Sequence, residues 1–324
     1  MPNPVVSVPV VVAELVRSGF IEGHHYGSVV ALDQTGAVEW SVGSTERPIL
    51  PRSSNKPLQA VGMVRLGLDL PPELLALASA SHSGEPFHLD GVRRILALAG
   101  LSEAALQTPP DYPLEDAEWH AVVAAGGQRT PLQMNCSGKH AAMLATCVVN
   151  GWDTSSYLDP AHPLQQAILA TVEDLTGAPV AAEAVDGCGA PLLSASLVGL
   201  AGAFRRLAVA EDGAERQVAE AIRAHPEWVS GTRRDERALL GAIPGAVGKA
   251  GAEACYAVAL RDGRAFALKV DDGGARARPV VMAAALQRSG VDAEAGVDGD
   301  AVRRTGDAPL LGGGRRVGEI RAVL

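Results

Sequence analysis

The stretch Gly27-Ser28-Val29-Val30-Ala31-Leu32-Asp33-Gln34-Thr35-Gly36-Ala37-Val38-Glu39-Trp40-Ser41-Val42 decides the fold. Its β-branched runs flank the turn signal Asp33-Gln34-Thr35-Gly36, so Gly27 to Leu32 and Ala37 to Val42 read as the arms of a hairpin. The pattern returns near the other end of the chain. Cys255 to Leu260, the turn Arg261-Asp262-Gly263-Arg264 and Ala265 to Val270 make a second strand–turn–strand unit. Val8 to Glu14 and Arg316 to Val323 read as further strands. Between the ends, apolar residues recur at helical spacing over Lys56 to Leu66, Pro72 to Ala80, Leu89 to Ala99, Gly138 to Val149, Pro163 to Leu175, Pro191 to Phe204 and Ala214 to Ala224. A last helix is expected over Pro279 to Arg288. The strict strand–helix alternation of a doubly wound parallel sheet is missing. The order predicts an α+β, layered architecture forming one composite unit over residues 1–324. A mainly antiparallel sheet comes from both chain ends, about 1–50 and 250–324, and a mainly helical region, about 51–249, is inserted between them. A cleft is expected at the seam, where small ligands commonly bind.

Composition narrows the function. The chain has 324 residues, 47% hydrophobic and 20% charged, with 28 basic and 37 acidic side chains and a net charge of −9. That apolar share excludes general disorder. An acidic balance argues against a nucleic-acid partner, because phosphate binding needs clustered Lys and Arg. Four cysteines, Cys136, Cys147, Cys188 and Cys255, show no close pairing, which suits a reducing, cytoplasmic setting. No membrane segment is expected. The run Val5 to Val12 is short, interrupted by Pro9 and without a basic start, and Ala190 to Phe204 falls short of a spanning length and reads as a buried helix.

Four constellations carry candidate chemistry. Arg52-Ser53-Ser54-Asn55-Lys56-Pro57 contains an S-x-x-K pair. On a helix start, residues three apart share a face, so the Lys56 amine is expected to reach the Ser53 hydroxyl. Such pairs also occur on ordinary solvated helix starts, and Ser54 is equally suited to be an N-cap. Ala80-Ser81-His82-Ser83-Gly84-Glu85 reads as a helix end and turn, and its adjacent Ser and His point apart, so it is no triad. Asn135-Cys136-Ser137-Gly138-Lys139-His140 and Asp186-Gly187-Cys188-Gly189 place two cysteines near glycine turns. They read as an incomplete zinc ligand set or as buried free thiols. Val247-Gly248-Lys249-Ala250-Gly251 reads as a tight loop delivering an amine, or as a surface turn. Neither Gly-Lys step is a phosphate loop.

Taken in order, these segments resemble the asparaginase II family, the thermolabile-type asparaginases. The blocks are Glu22 with His24-His25, Pro51 to Gln59, Ala80 to Glu85, Asn135 to His140, His162-Pro163, Asp186 to Cys188, His225-Pro226-Glu227, Val247 to Gly251 and Lys269-Val270-Asp271-Asp272-Gly273. Each is weak alone; their order along nearly the whole chain is specific. The resemblance implies a fold like serine β-lactamases, DD-peptidases and serine-type glutaminases, and hydrolysis of L-asparagine to L-aspartate and ammonia. It implies two Ser–Lys pairs, Ser53 with Lys56 and Ser81 with Lys249, a zinc ion on Cys136, Lys139 and Cys188, and a homodimer. Arg52, His82, His140 and Asp186 lie in the matched blocks and are read as substrate-binding, Arg52 through its bidentate fit to a carboxylate. Lys269, on the second C-terminal strand, rivals Lys249. S-D-N and K-T-G motifs are missing, which argues against β-lactam chemistry. A glutaminase or other small-amide hydrolase on the same fold, and a non-catalytic amino-acid or zinc-binding protein, stand as alternatives.

Overall fold

The computed structural model describes residues 9–324; Val5 to Val8, which belong to the N-terminal apolar run and open the first expected strand, lie outside them. The strands are β1 (Val10–Arg17), β2 (Phe20–Leu32), β3 (Val38–Val42), β4 (Glu183–Val185), β5 (Pro191–Leu193), β6 (Val247–Gly251), β7 (Cys255–Ala259), β8 (Ala265–Val270), β9 (Ala308–Gly312) and β10 (Arg315–Ala322). The helices are α1 (Lys56–Arg65), α2 (Pro72–Ala78), α3 (Pro86–Leu98), α4 (Asp116–Ala124), α5 (Ser137–Val149), α6 (Pro163–Thr176), α7 (Leu197–Val209), α8 (Gly213–Ala224), α9 (Pro226–Val229), α10 (Asp235–Ala242), α11 (Arg278–Arg288) and α12 (Gly299–Thr305).

The main sheet runs β6-β7-β8-β2-β1-β10-β9, with β3 on β2, and every neighbouring pair is antiparallel. It is an α+β fold whose sheet is drawn from both chain ends. The long β2 is the trunk. Its first half pairs with β1, and Gly27–Leu32 pairs with β8. The Asp33 carboxylate closes the following turn by accepting from the backbone of Thr35 and Ala37, which is why Asp suits that position. α7 packs on β2, β6, β7 and β8, and α11 on β1, β7, β8 and β10. β7 is buried throughout and β8 nearly so, as strands covered on both faces are. The helical part is built around α1, which contacts α2, α5, α6 and α8 and is buried from Lys56 to Met63. No helix among the described residues is long and apolar enough to cross a membrane.

Three expectations change. Pro191 to Leu193 is strand rather than helix, Ala195 bridges Ile49, and the helix begins only after Ser196, whose hydroxyl accepts the Gly199 N–H. An unbroken apolar run has no period to separate the two states, and the capping serine was the usable signal. Val247 to Gly251 is an edge strand, not a loop; its glycine serves close approach. A Cβ on Gly251 would stand 2.6 Å from the Pro51 carbonyl and 2.9 Å from Ser54 Oγ. β9, α4, α10 and α12 were not anticipated, being short or weakly periodic.

Gly251→Ala is expected to force β6 away from the turn that carries Ser53, lowering the melting temperature by several degrees (about 1–3 kcal/mol). Gly202→Ala, inside α7 with no atom within 4 Å of the added methyl, is expected to stabilise by about 0.5–1 kcal/mol. Thermal denaturation of the two variants checks both signs.

Candidate active site

The residues singled out in the sequence meet where the helical part abuts β6. A 3₁₀ turn, Arg52–Asn55, leads into α1 and carries Ser53, which is 9% exposed. Arg52 enters it with φ of +53°, a conformation unfavourable for a side-chain-bearing residue, and its guanidinium is held by Asp186 at 2.7 Å. Asp186 is fixed in turn by the Gly187 N–H. The loop after α2 carries Ser81, 7% exposed. That loop is tied down by backbone bonds from Ser81 to Val229, His82 to Asn135 and Ser83 to Ser230.

The serine–lysine contacts run differently from the pairing the family resemblance implied. Lys56 Nζ donates to the Ala80 carbonyl at 2.5 Å, to Ser81 Oγ at 3.0 Å and to Cys136 Sγ at 3.1 Å, using all three N–H bonds of an ammonium. Its direct serine partner is therefore Ser81, from another element. Ser53 Oγ makes no hydrogen bond among the described residues. A 3₁₀ turn followed by the helix rotates Lys56 inward, away from its neighbour three residues back. Lys249 bonds Glu236 at 2.7 Å and the Ala250 carbonyl at 2.8 Å, and has no bond to Ser81. Burial pulls it down to about 8, Glu236 opposing and Lys56 assisting. Lys269 stands apart, lining a cavity of about 400 Å³ with Arg47, Arg52 and Glu253.

Cys136, Lys139 and Cys188 converge behind Ser81. Lys139 Nζ lies 3.2 Å from Cys188 Sγ. Cys188 is held far below the usual thiol range, first by a hydrogen bond from Cys136 and then, against its burial, by Lys139 and His140. Cys136 moves upward, as the donor to Cys188 and because it is buried. Burial would lower Lys139, but the adjacent Cys188 and Cys136 outweigh it and raise it. His140 is buried with Nδ1 2.7 Å from the Tyr157 hydroxyl. Tyr157 also accepts from the Gln107 N–H, and burial lowers His140. Cys147 and Cys255 are free thiols in the core.

His82 does not reach the cleft. It has no exposed surface, its Nε2 bonds Ser137 Oγ at 2.8 Å, and it stacks on His88. His140 is likewise enclosed. Both support the site from behind, a placement that sequence adjacency to Ser81 and Lys139 does not reveal. Glu236 was not singled out in the sequence at all. Its spacing to Leu239 and Leu240 puts it on the buried face of α10, and a charge on an apolar stripe signals a buried partner. The chain has four lysines in total: three are buried in this site and the fourth lines the adjoining cavity.

Three buried lysine amines lie at the seam of the sheet and the helical layer, one of them 3.0 Å from a serine hydroxyl, and the family match puts the chain in the class of amidase-type hydrolases. The chain belongs to the L-asparaginase II family, whose pattern matches residues 13–322. No curated protein sequence matches it significantly. Among solved structures, it is similar to a β-lactamase from Mycobacterium bovis (15% identity, TM-score 0.45, 81% of this chain and 94% of that one). It is also similar to EstCE1, a hydrolase with promiscuous acyltransferase activity (14%, 0.41, 82% and 93%), and to Mglu in its native form (12%, 0.38, 81% and 60%).

His82 and His88 fix an acid limit. Burial lowers both, His88 to about 4 and His82 well below 6.5. Between pH 6.5 and 4 the unfolded chain binds protons that the folded one refuses, so the stability these groups contribute above pH 6.5 is lost as pH falls. Denaturation midpoints are expected to drop steeply from pH 6.5 to 4.5, by about 2 kcal/mol from His88 alone. His88→Met is expected to flatten that slope.

Proposed function

We propose that the protein hydrolyses L-asparagine to L-aspartate and ammonia through a serine acyl-enzyme. Family membership supports an asparaginase-type hydrolase. The observation that carries the serine route is Lys56, which follows Ser53 on the same turn while its amine meets Ser81 Oγ at 3.0 Å. Ser53 is assigned as nucleophile because its hydroxyl is uncommitted and it opens a helical turn. The Ser53 N–H at the start of that turn is the one suited to an oxyanion, the Ser54 N–H being taken by the Pro51 carbonyl.

Ser53 Oγ bonds to the side-chain amide carbon and its proton moves to a lysine amine. The tetrahedral centre collapses, the C–N bond breaks, and ammonia leaves with a proton returned by lysine. Water then adds to the ester, giving up a proton to the amine; the bond to Ser53 breaks, aspartate departs and the amine returns that proton to Ser53 Oγ. Ser81 and Lys56 relay these protons, and Lys249, at about 8, is the amine nearest to neutrality. Arg52, with Nε on Asp186 and Nη1 3.5 Å from the half-exposed Glu253, is the candidate partner of the substrate carboxylate, which would displace Glu253. The adjoining cavity is lined by three cations, Arg47, Arg52 and Lys269, against two acids, Glu253 and Asp271, a small positive excess on an acidic chain.

Two soft thiols and one amine, all buried, fit zinc in their donor chemistry. Cys136, Cys188 and Lys139 would hold the ion. No group of three His, Cys, Asp or Glu among the described residues is placed to hold a metal, so a zinc ion at the two cysteines would take the Lys139 amine as its third donor. A zinc ion there would supply fixed positive charge and keep Lys139 deprotonated. The working form is taken as a homodimer in the cytoplasm, a reading that free, unpaired thiols suit.

Ammonia release measured with asparagine, glutamine and simple amides is expected to favour asparagine. Ser53→Ala is expected to lower kcat by about a thousandfold or more with KM little changed. Near-normal turnover in Ser53→Ala with inactive Ser81→Ala would assign the nucleophile to Ser81. Purified protein is expected to hold one zinc per chain, and Cys188→Ser to lose it along with thermal stability. A metal-free wild type of equal stability rejects the metal.

A further inference from the structure

We propose that Glu236 is a positioning residue that holds the Lys249 amine in the site and governs when that amine gives up its proton. The inference rests on the asparaginase reading above for its catalytic meaning, and on geometry for the pairing itself.

Lys249 and Glu236 have no exposed surface. One carboxylate oxygen does two jobs: Oε1 accepts from Lys249 Nζ at 2.7 Å and from the Ala250 backbone N–H at 3.1 Å. The carboxylate is thereby locked to β6 next to the residue whose side chain it holds. Glu236 opens α10, where a helix N-terminus favours negative charge. Its other oxygen, Oε2, is buried without a partner, as are the Tyr256 hydroxyl and Arg278 Nε.

The groups facing the pair come from every neighbouring element. Lys56 on α1 and Arg234 before α10 repel the ammonium. Arg278 on α11 pairs with Asp235, and Tyr256 on β7 lies near both acids. Glu236 is therefore the one carboxylate in contact with Lys249 among the described residues. Burial and two cations favour the neutral amine; Glu236, the one anion in contact, holds the proton on with help from the Ala250 carbonyl. Glu236→Gln keeps an oxygen for both hydrogen bonds and removes only the charge. The Lys249 midpoint then falls, and the acid limb of the rate profile falls with it. Glu236→Asp keeps the charge and pulls it back by one methylene.

The test has two readings. With 13Cε-lysine labelling, the four lysines are followed by NMR from pH 6 to 10, Lys249 being assigned by its loss in Lys249→Met. In Glu236→Gln the Lys249 midpoint is expected to fall by about one pH unit or more, and in Glu236→Asp to stay near the wild-type value. An unmoved midpoint in Glu236→Gln overturns the proposal, whether or not the protein is an asparaginase. Should Glu236→Gln fail to fold, a wild-type Lys249 resonance that does not change across that range overturns it too. The kcat/KM profile for asparagine supplies the second reading. Its acid limb is expected to follow the NMR midpoint in Glu236→Gln, while Glu236→Asp lowers kcat about tenfold with the limb in place. A limb that stays put while the NMR midpoint moves overturns the catalytic role. A wild type releasing no ammonia rejects the asparaginase reading alone and leaves the NMR result standing.

Discussion

Three lysine side chains end inside this protein, and the satisfaction of their nitrogens holds the site together. Lys56 binds α1 to the loop after α2 and to Cys136. Lys139 binds α5 to the loop carrying Cys188, and Lys249 binds β6 to α10. A buried ammonium that loses its acceptors costs several kcal/mol. No one of these elements can drift without stranding a charge, so six segments distant in sequence are kept in register. The same enclosure pulls the Lys249 amine down to about 8, within reach of neutrality, while the neighbouring thiols raise Lys139.

Charge is distributed to match. The chain is acidic overall, yet the seam holds lysines and Arg52, with Asp186 and Glu236 as internal counterions. Arginine serves almost everywhere else a cation is needed, in the surface ion pairs Arg65–Asp174, Arg94–Glu73 and Arg303–Asp300 among others. Guanidinium stays charged under all working conditions, whereas an amine does not. Three of the four lysines are buried at this seam, and the fourth lines the adjoining cavity.

Much of the architecture was legible because hairpins announce themselves locally. Asp33-Gln34-Thr35-Gly36 and Arg261-Asp262-Gly263-Arg264 lie between alternating or apolar runs, and their positions at opposite ends of the chain dictate a sheet that draws on both. What escaped notice lacked a local signature. The glycines of β6 suit a turn by their sequence, whereas Gly251 is small to admit Pro51 and Ser54. The first half of β2 holds Glu22, His24 and His25, polar residues that hide a strand. Ala190 to Phe204 is apolar throughout, and only Ser196 tells where helix begins.

The sequence by itself determined the antiparallel sheet from both ends and the family, and it pointed to the serines, lysines and cysteines of the candidate site but not to Glu236. It did so because turn chemistry, apolar period and ordered motifs are each carried by a few neighbouring residues. Tertiary structure alone decided who touches whom: Lys56 with Ser81 rather than Ser53, Lys249 with Glu236, and His82 with Ser137 behind the cleft. Those contacts join positions 13 to 55 residues apart. They are set by where buried charges find acceptors once the layers close, and no local pattern records that.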